Sequence, residues 1–397
     1  MRLLFLTSRL PYPPDRGDRS RVYHFLRILS AEHEITLVTF SASESERPYL
    51  IHLQPFCKQI HVIDWPLWRS VAAVATNVWR RLPLQVLYYR SAAMAKFVDA
   101  LLNTQSFDAV YVHLFRMAPY LINHKNQHRI LDLTDVVSNE IDLSLPYRPF
   151  LWRWLYRFEL PRIRQYEAEV AAQFEECWLI AQADQKTLTA VAPQAHSYVV
   201  PIGVKIRSDL AAATVSQPPI LLFVGNMSIF HNVDAVNYLV KQIFPLVRSF
   251  MPACQLHLVG AGVSSKIREL ESSPGVSVSG FVSDLDVVYR ETAVFVAPMR
   301  FAAGLQTKVL DAMGAGLPVV TTSLINAGLG AIPEQDLLLA DDASACAAQI
   351  SRLLNDNRLR EKIGQAGRNF VQLRFSWDAV AKRMHQIGQH LSTQNDL

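Results

Sequence analysis

The sequence predicts an α/β protein of two successive domains, each built on a parallel sheet with helices on both faces. Short apolar runs alternate with amphipathic segments along the 397 residues, and this alternation is typical of βαβ units. The length suffices for two domains with separate cores. Half of the residues are hydrophobic and 19% are charged, as in globular proteins.

The elements follow in a regular order. In the first half we expect a helix from about 20 to 32 and strands at 3–7, 35–40, 60–63, 109–113, 130–132, 177–181 and 197–200. In the second half we expect strands at 220–224, 256–259, 276–280, 294–297, 318–321 and 337–339, and closing helices at about 343–354, 358–373 and 377–391. The turn at 201–204 is the predicted hinge, which gives domains at 1–202 and 203–376.

Composition excludes several classes of protein. The net charge of +4 is spread over both halves, so nucleic-acid binding has no support. The four cysteines lack paired spacing, which predicts a reduced, cytoplasmic protein without a zinc site. The apolar run at the N-terminus is short and is expected to be a buried strand, not a signal peptide. No apolar run reaches the roughly 18 residues of a membrane span.

The most informative segment is 297–321, which is expected to form a strand end, a glycine turn, a short helix and another buried strand. Gly304 opens the helix, and Lys308 and Asp311 share one of its faces. Free N–H groups and the positive end of the helix dipole favour a phosphate there, and Lys308 adds a charge. Asp311 offers an acceptor for a sugar hydroxyl. The alternative is a solvated ion pair on an ordinary helix.

A basic loop at 11–21 follows the first predicted strand. Gly17 can adopt a positive φ there and let backbone N–H groups approach an anion, and Arg16, Arg19 and Arg21 favour that interpretation. The alternative is a surface loop that is basic for solubility.

His113 ends a predicted strand at the edge where catalytic groups of such sheets lie, although a lone histidine is more often structural. Asp132 and Asp135 end the next strand. They either line the same edge or bond nearby backbone and cap the following helix.

Two motifs resemble known sites without completing them. The glycines at 260 and 262 resemble a dinucleotide fingerprint, but Ser265 stands at the third glycine position, so a nicotinamide enzyme is not expected. Asp284 and Asp286 resemble a metal-binding pair, but they begin a predicted helix and are interpreted as a cap.

Two segments, 65–81 and 148–164, mix tryptophan with arginine. This composition suits a surface that faces anionic lipid. The alternative is a helix packed on its own core with arginines that extend to solvent.

The stretch from Pro298 to Val320, with its Gly304, Lys308 and Asp311, resembles the GT-B glycosyltransferases of retaining family 4. More narrowly it resembles the PEP-CTERM-associated and exopolysaccharide sugar transferases. Weaker matches follow in the family's order along nearly the whole chain, at 10–18, 107–113, 200–204, 223–227, 231–234, 280–284 and 375–377.

The resemblance implies two Rossmann-like domains facing a cleft, with a C-terminal helix at 377–397 that packs back on the first domain. It also implies a retaining transferase that moves a sugar from a UDP- or GDP-linked donor to a saccharide or lipid-linked acceptor in polysaccharide or glycolipid synthesis. No metal and no cofactor is expected. The expected location is the cytoplasm, with peripheral contact at the inner face of the membrane.

Residue roles follow from the same resemblance. His113 would contact the donor sugar and support the reaction, Lys308 would neutralise the diphosphate, and Asp311 would bond the ribose. The other donor and phosphate candidates are Gly17, Gly225, Asn226, Phe281, Val282, Arg300, Gly304, Leu305, Gln306 and Thr307. The acceptor-side candidates are Arg16, Asp18, Asp132 and Asp135.

One departure from the family concerns sugar recognition. Many members carry two glutamates eight residues apart, where this chain has Ala303 and Asp311. Ala303 cannot bond a sugar, and the Gly304 backbone or Arg300 would substitute. The alternatives are therefore a GT-B enzyme of another reaction, such as a nucleotide-sugar 2-epimerase, and a catalytically weak nucleotide-sugar binding protein.

Overall fold

The computed structural model describes residues 1–41, 43–77, 79–210, 217–302 and 304–394. The chain forms two compact units, Met1–Pro201 and Ile202–Leu397. Each unit is an α/β layer structure with one parallel sheet.

The first unit contains a seven-stranded sheet in the order β3-β2-β1-β4-β5-β6-β7. All of its recorded strand pairs are parallel. Its strands are β1 (Arg2–Thr7), β2 (Glu34–Ser41), β3 (Gln59–Asp64), β4 (Ala109–His113), β5 (Arg129–Thr134), β6 (Glu176–Leu179) and β7 (Ser197–Val199).

Helices cover both faces of this sheet, as parallel strands require. They are α1 (Gly17–Leu29), α2 (Leu67–Ala75), α3 (Leu84–Tyr88), α4 (Ala92–Thr104), α5 (Val137–Ser144), α6 (Phe150–Ala171) and α7 (Gln182–Val191). Short 3₁₀ turns occur at Glu44–His52, Phe115–Tyr120 and Leu145–Tyr147. One core cluster joins Leu4 and Leu6 of β1 and Val110 and Val112 of β4 to helices α4 and α6.

The second unit repeats this plan with six strands in the order β10-β9-β8-β11-β12-β13. The strands are β8 (Ile220–Val224), β9 (Gln255–Val259), β10 (Val276–Ser279), β11 (Thr292–Ala297), β12 (Val319–Thr321) and β13 (Leu338–Leu339). The helices are α8 (Phe230–Tyr238), α9 (Phe244–Phe250), α10 (Ser265–Arg268), α11 (Leu285–Glu291), α12 (Thr307–Gly314), α13 (Ser323–Leu329), α14 (Ala343–Asn355), α15 (Asn357–Phe375) and α16 (Trp377–Gln394). A π-helical segment, Leu239–Ile243, joins α8 to α9.

Both sheets have a topological switch point, where the order of the strands along the sheet reverses. It lies between β1 and β4 in the first unit and between β8 and β11 in the second. Ligands of open α/β sheets bind beyond the carboxyl ends of the strands at such a point. The two relevant edges are therefore the ends of β1 and β4 and the ends of β8 and β11.

The predicted fold class, an α/β protein with parallel sheets in two domains, is confirmed, and every expected strand is present within a few residues. Helix α1 begins at Gly17 instead of about residue 20. The predicted return of the last helix to the first domain stays a prediction. At its start, the Trp377 ring fills the space beside Gly203, where a Cβ would lie 2.3 Å from the ring.

Candidate functional site

The loop between β11 and α12 lies at the switch point of the second sheet, as the sequence predicts. Gly304 has a φ of +69°, a conformation that glycine adopts without strain. Its carbonyl lies so close to α13 that a Cβ on Gly328 would come within 2.5 Å of it. Leu305 and Gln306 are buried, and Thr307 begins the helix. The loop therefore presents the first turn of α12 beyond the end of β11.

Lys308 lies in that first turn and is held by neutral groups. Its Nζ donates to Asn232 Oδ1 at 2.5 Å and to Gln306 Oε1 at 3.1 Å, and it lies 5.7 Å from the centre of the Phe223 ring. Among the residues that the structure describes, no carboxylate pairs with it. Burial lowers the pKa of Lys308 to about 7, because the charged form loses hydration without gaining a counter-ion. A bound anion would supply that counter-ion.

Asn232 is the residue that ties this lysine to the neighbouring loop. Its side chain is buried, and its Nδ2 donates to the Asn226 carbonyl at 2.8 Å while its Oδ1 accepts from Lys308. The same amide thus fixes both the loop after β8 and the ammonium group. Asn232 falls within the 231–234 match, to which the sequence assigns no role.

The loops after β8 and β9 pack closely where the sequence predicts a diphosphate. A Cβ on Gly260, whose φ is +151°, would come within 1.9 Å of the Gly225 carbonyl, and a Cβ on Gly262 would come within 2.1 Å of Ser228. Asn226 Oδ1 accepts from the Ser228 amide at 2.9 Å. The glycines that resemble a dinucleotide fingerprint therefore serve to bring two loops together at the edge that also carries Lys308.

Asp311 is part of an ion-pair network that no local sequence pattern indicates. Its Oδ1 accepts from Arg207 at 3.2 Å, and Arg207 also pairs with Asp286, which receives Lys205 at 3.0 Å. Burial raises the pKa of Asp311, and the Arg207 charge opposes that rise. The Asp311 side chain is about 30% exposed, so Arg207 positions the carboxylate and a ligand can still contact it.

The interpretation of the Asp284 pair as a cap is confirmed. Asp284 Oδ1 accepts from the Asp286 amide at 3.0 Å at the start of α11. Asp286 also forms an ion pair with Arg207.

The remaining candidates of the second unit fall into two groups. Arg300 makes a bidentate pair with Asp234, at 2.9 and 2.5 Å, and its guanidinium lies over the Tyr238 ring. Phe281 is exposed and Val282 is half-buried, just beyond the end of β10. Ala303 lies outside the described residues.

In the first unit, His113 lies buried at the end of β4. Its Nε2 lies 3.5 Å from Thr134 Oγ1, and its ring stacks parallel to Tyr111. Burial lowers the pKa of His113 to about 4, so the imidazole is neutral at physiological pH. Leu114 and Thr134, which flank it, have φ values of +72° and +64°. Such backbone strain in residues other than glycine concentrates at functional sites.

Asp132 lies beneath the site and does not face solvent. It is fully buried, accepts from Arg21 Nε at 2.6 Å and from Tyr111, and its other oxygen accepts from the Thr134 amide at 2.9 Å. Arg21 also donates to the Val200 carbonyl at 2.7 Å. The expectation that Asp132 lines the acceptor side is therefore wrong, as is the expectation that Arg21 belongs to an anion loop. The alternative of bonding to nearby backbone is correct for Asp132.

The basic loop also differs from expectation. Gly17 is the first residue of α1 and is not among the residues with a positive φ, and a Cβ there would meet nothing within 4 Å. The prediction that Gly17 adopts a positive φ in a loop is therefore wrong, because α1 starts at Gly17, three residues before the predicted start. Arg16 is exposed at the N-cap, and Asp18 pairs with Arg9 at 3.4 Å.

Asp135 follows the strained Thr134. Burial raises its pKa well above the usual range, and Asp184 adds to the rise. The pKa of Asp184 is raised to about 6 by the same cause. One oxygen of each carboxylate is buried without a hydrogen-bond partner. Within the described ranges, no group of three or more potential metal ligands of the His, Cys, Asp or Glu type is present.

The two segments rich in tryptophan and arginine expose most of their aromatic side chains, whereas Trp65 and Tyr156 are half-buried. On α6 the first two turns carry uncovered apolar residues, up to 84% exposure at Phe150, whereas Ile163, Tyr166 and Val170 of its second half are buried. On α2 and the following turn, the exposed apolar residues are Leu67, Trp68, Val71 and Trp79. No helix in the described part of the chain has the length and apolar character needed to cross a bilayer.

Comparison with known proteins identifies a domain in the second unit. Residues 218–356 match the family described as glycosyl transferases group 1, and this range contains Asn232, Lys308 and Asp311. An uncharacterised 44.6 kDa protein in the cps region of Klebsiella pneumoniae is 22% identical over 88% of this chain and 90% of its own. The capsular polysaccharide biosynthesis glycosyltransferase CapM of Staphylococcus aureus is 33% identical over 30% of this chain and 31% of its own.

Solved structures share the fold over the whole chain. Sucrose-phosphate synthase from Thermosynechococcus elongatus has a TM-score of 0.73 at 18% identity, and covers 99% of this chain and 100% of its own. Anabaena HepE, solved in complex with UDP and glucose, has a TM-score of 0.68 at 14% identity with the same coverage. At these identities the likeness concerns the fold.

Proposed function

We propose that this protein is a glycosyltransferase that moves a sugar from a nucleotide-diphosphate donor to a saccharide or lipid-linked acceptor in the synthesis of polysaccharide or glycolipid. The observation that carries the proposal is Lys308, a half-buried ammonium group without a carboxylate partner among the described residues, in the first turn of a helix at a switch point. The group 1 domain at 218–356 and the capsular relative CapM support the same reaction.

In the proposed reaction the diphosphate departs with negative charge. An ammonium group and a helix N-terminus that are already in place stabilise this charge as it develops. Asn232 and Gln306 hold Lys308 in position, so little reorganisation is needed. The pKa of Lys308 is lowered to about 7, so near pH 7 the group is neutral in about half of the molecules. Binding of the diphosphate raises this pKa, and Lys308 takes up a proton.

The remaining roles are proposals of the same kind. Asp311, positioned by Arg207, accepts a ribose hydroxyl. His113 is neutral and can both donate to and accept from the hydroxyls of the donor sugar. We further propose retention at the anomeric carbon, as in family 4, and leaving-group stabilisation by protein cations without a cofactor. UDP and GDP are the candidate nucleotides, and HepE was solved with UDP.

The test uses the purified full-length chain and a panel of UDP- and GDP-linked sugars. A bound donor raises the melting temperature in proportion to RT ln(1 + [L]/Kd), which selects the nucleotide and the sugar. Transfer to an acceptor, or slow hydrolysis of the selected donor, then measures chemistry. Binding without either reaction would instead favour the binding-protein alternative, and release of an epimerised sugar would favour the epimerase.

We also propose that the exposed apolar turns of α2 and α6 contact an anionic membrane surface. Aromatic side chains insert at the interface while arginines pair with lipid phosphates. The double variant Phe150→Glu and Trp154→Glu is expected to abolish flotation with vesicles that contain phosphatidylglycerol at low salt. Phe250→Glu is the matched control, because Phe250 is an exposed phenylalanine of the second unit. Absence of flotation of the unaltered protein would refute this proposal.

A further inference from the structure

A cavity lies entirely within the first unit. Its volume is about 550 Å³, within the usual range for small-molecule sites. It is lined by residues of α3, the start of α4, the 3₁₀ turn Phe115–Tyr120 and Tyr166 of α6. Most of its lining is apolar, from side chains such as Leu82, Val86 and Ile122.

Three arginines and one helix end make this apolar cavity electropositive. Arg80, Arg90 and Arg116 line it, and within the described ranges none of them forms an ion pair. Arg116 donates to two neutral oxygens, Ser8 Oγ at 3.2 Å and Gln85 Oε1 at 3.3 Å. Ser91 and Ala92, the N-cap and first residue of α4, also line the cavity, so the positive end of that helix dipole lies beside it.

An unpartnered hydroxyl lies in the same wall. Tyr166 is 94% buried, with 6% exposure, and its hydroxyl has no hydrogen-bond partner. Burial raises the pKa of this phenol, so it is a donor without an acceptor. An unsatisfied buried donor is costly, unless a ligand accepts from it. The hydroxyl of Tyr120, which also lines the cavity, by contrast accepts from the Ser91 amide and donates to the Tyr89 carbonyl.

From this combination we propose that the cavity binds an amphiphilic phosphate ester, with the apolar chain against its aliphatic and aromatic walls and the phosphate on Arg116, the other arginines and Tyr166. An apolar chain accounts for the lining, and an anion accounts for the unpaired cations and the donor. The exposed Trp79 next to Arg80 gives such a molecule a route from a lipid surface. If the proposed transfer is correct, this ester is the lipid anchor of the acceptor.

Binding is measured with the full-length chain and three probes: decyl phosphate below its micellar concentration, inorganic phosphate and 1-decanol. We expect decyl phosphate to bind at least about tenfold more tightly than either of the other two. Inorganic phosphate lacks the apolar chain, and 1-decanol lacks the phosphate. Equal affinity for inorganic phosphate would indicate a simple anion site, and equal affinity for decanol a simple apolar cavity. Either result overturns the proposal.

Variants locate the site. Arg116→Gln should lower the affinity for decyl phosphate by about tenfold or more, because a charge-assisted hydrogen bond is lost. Tyr166→Phe, which removes one hydroxyl from the wall, should lower this affinity by about fivefold. Ala95→Phe fills the cavity and should abolish binding. This variant provides the test if Arg116→Gln fails to fold. Arg27→Gln, at an exposed position on α1, should leave the affinity unchanged. Unchanged affinity in folded Tyr166→Phe and Ala95→Phe would place the ligand elsewhere.

Nucleotide binding measured in parallel separates this inference from the proposed function. If donor binding depends on Lys308 but decyl phosphate does not bind, the cavity inference fails alone. If decyl phosphate binds as expected but no nucleotide does, the proposed function fails and the cavity remains an amphiphile site.

Discussion

Replacement of Lys308 by alanine is expected to lower the rate of sugar transfer by about 10²- to 10³-fold. The estimate follows from the loss of one preorganised group that stabilises developing charge. Affinity for the free nucleoside diphosphate should fall as well, because the ammonium group also binds the ground-state phosphates. The measurement is the initial rate of transfer or donor hydrolysis, with the donor that the thermal-shift panel selects.

Two controls accompany this variant. Lys362→Ala, at an exposed position on α15, should leave the rate unchanged. Lys308→Arg keeps a charge but not the compact geometry of an ammonium group, and its activity should fall between wild type and alanine. The free energy of unfolding of Lys308→Ala should not fall below that of the wild type. A lysine whose pKa is lowered by burial destabilises the ligand-free protein. Full activity in Lys308→Ala would refute the mechanism.

Replacement of Asp132 by alanine is expected to destabilise the first unit by about 3–5 kcal/mol. The side chains of Asp132 and Arg21 are both fully buried, and removal of one partner leaves the other as an uncompensated charge. The loss also removes acceptors from Tyr111 and from the strained Thr134. Chemical denaturation of the full-length chain, followed by a probe of the first unit, measures the change.

An exposed pair provides the comparison. Asp64→Ala breaks the Arg47–Asp64 pair, in which more than half of each side chain is exposed, and should change stability little, because solvent screens such pairs. A combined replacement of Arg21 by methionine and Asp132 by leucine should recover most of the loss. If Asp132→Ala were as stable as Asp64→Ala, the ion pair would not be a structural centre of the unit.

The parallel strands could be predicted because each is an uninterrupted apolar run between turn residues. Strand β4 and strand β8 begin and end where the sequence predicts them. The sequence predicts a start of α1 near Ser20, a residue type favoured at helix caps, whereas the helix begins at Gly17 with Asp18 in its first turn. Local propensity does not decide between two such starts.

The part of the site that could be predicted is contiguous in sequence. Gly304, Lys308 and Asp311 fall within one turn-and-helix segment, and the structure brings Lys308 to the edge that the pattern indicates. The partners that hold them come from far along the chain, Asn232 for Lys308 and Arg207 for Asp311, at separations of 76 and 104 residues. No local pattern marks such pairs.

Asp132 is a residue whose position predicts a binding role that the structure contradicts, since it ends a predicted strand but pairs with the buried Arg21. Arg21 lies on the apolar face of α1, one turn before Phe25. Its guanidinium lies over the Phe25 ring, 4.5 Å from the ring centre. An arginine among Val22, Phe25 and Leu26 was a signal of burial that the sequence offered. A buried arginine needs a carboxylate, and Asp132 is that carboxylate.

The role of Lys308 at the diphosphate is tested most directly by proton uptake when a nucleoside diphosphate binds, measured by calorimetry in two buffers of different ionisation enthalpy at about pH 8.5. The pKa of Lys308 in the free protein is about 7, so the group is mostly neutral at that pH and gains its proton when the diphosphate arrives. We expect uptake of close to one proton by the wild type, little at about pH 6, where Lys308 is already charged, and none in Lys308→Arg. Binding without proton uptake at the higher pH, or equal uptake in Lys308→Arg, would contradict the assignment of Lys308 to the diphosphate.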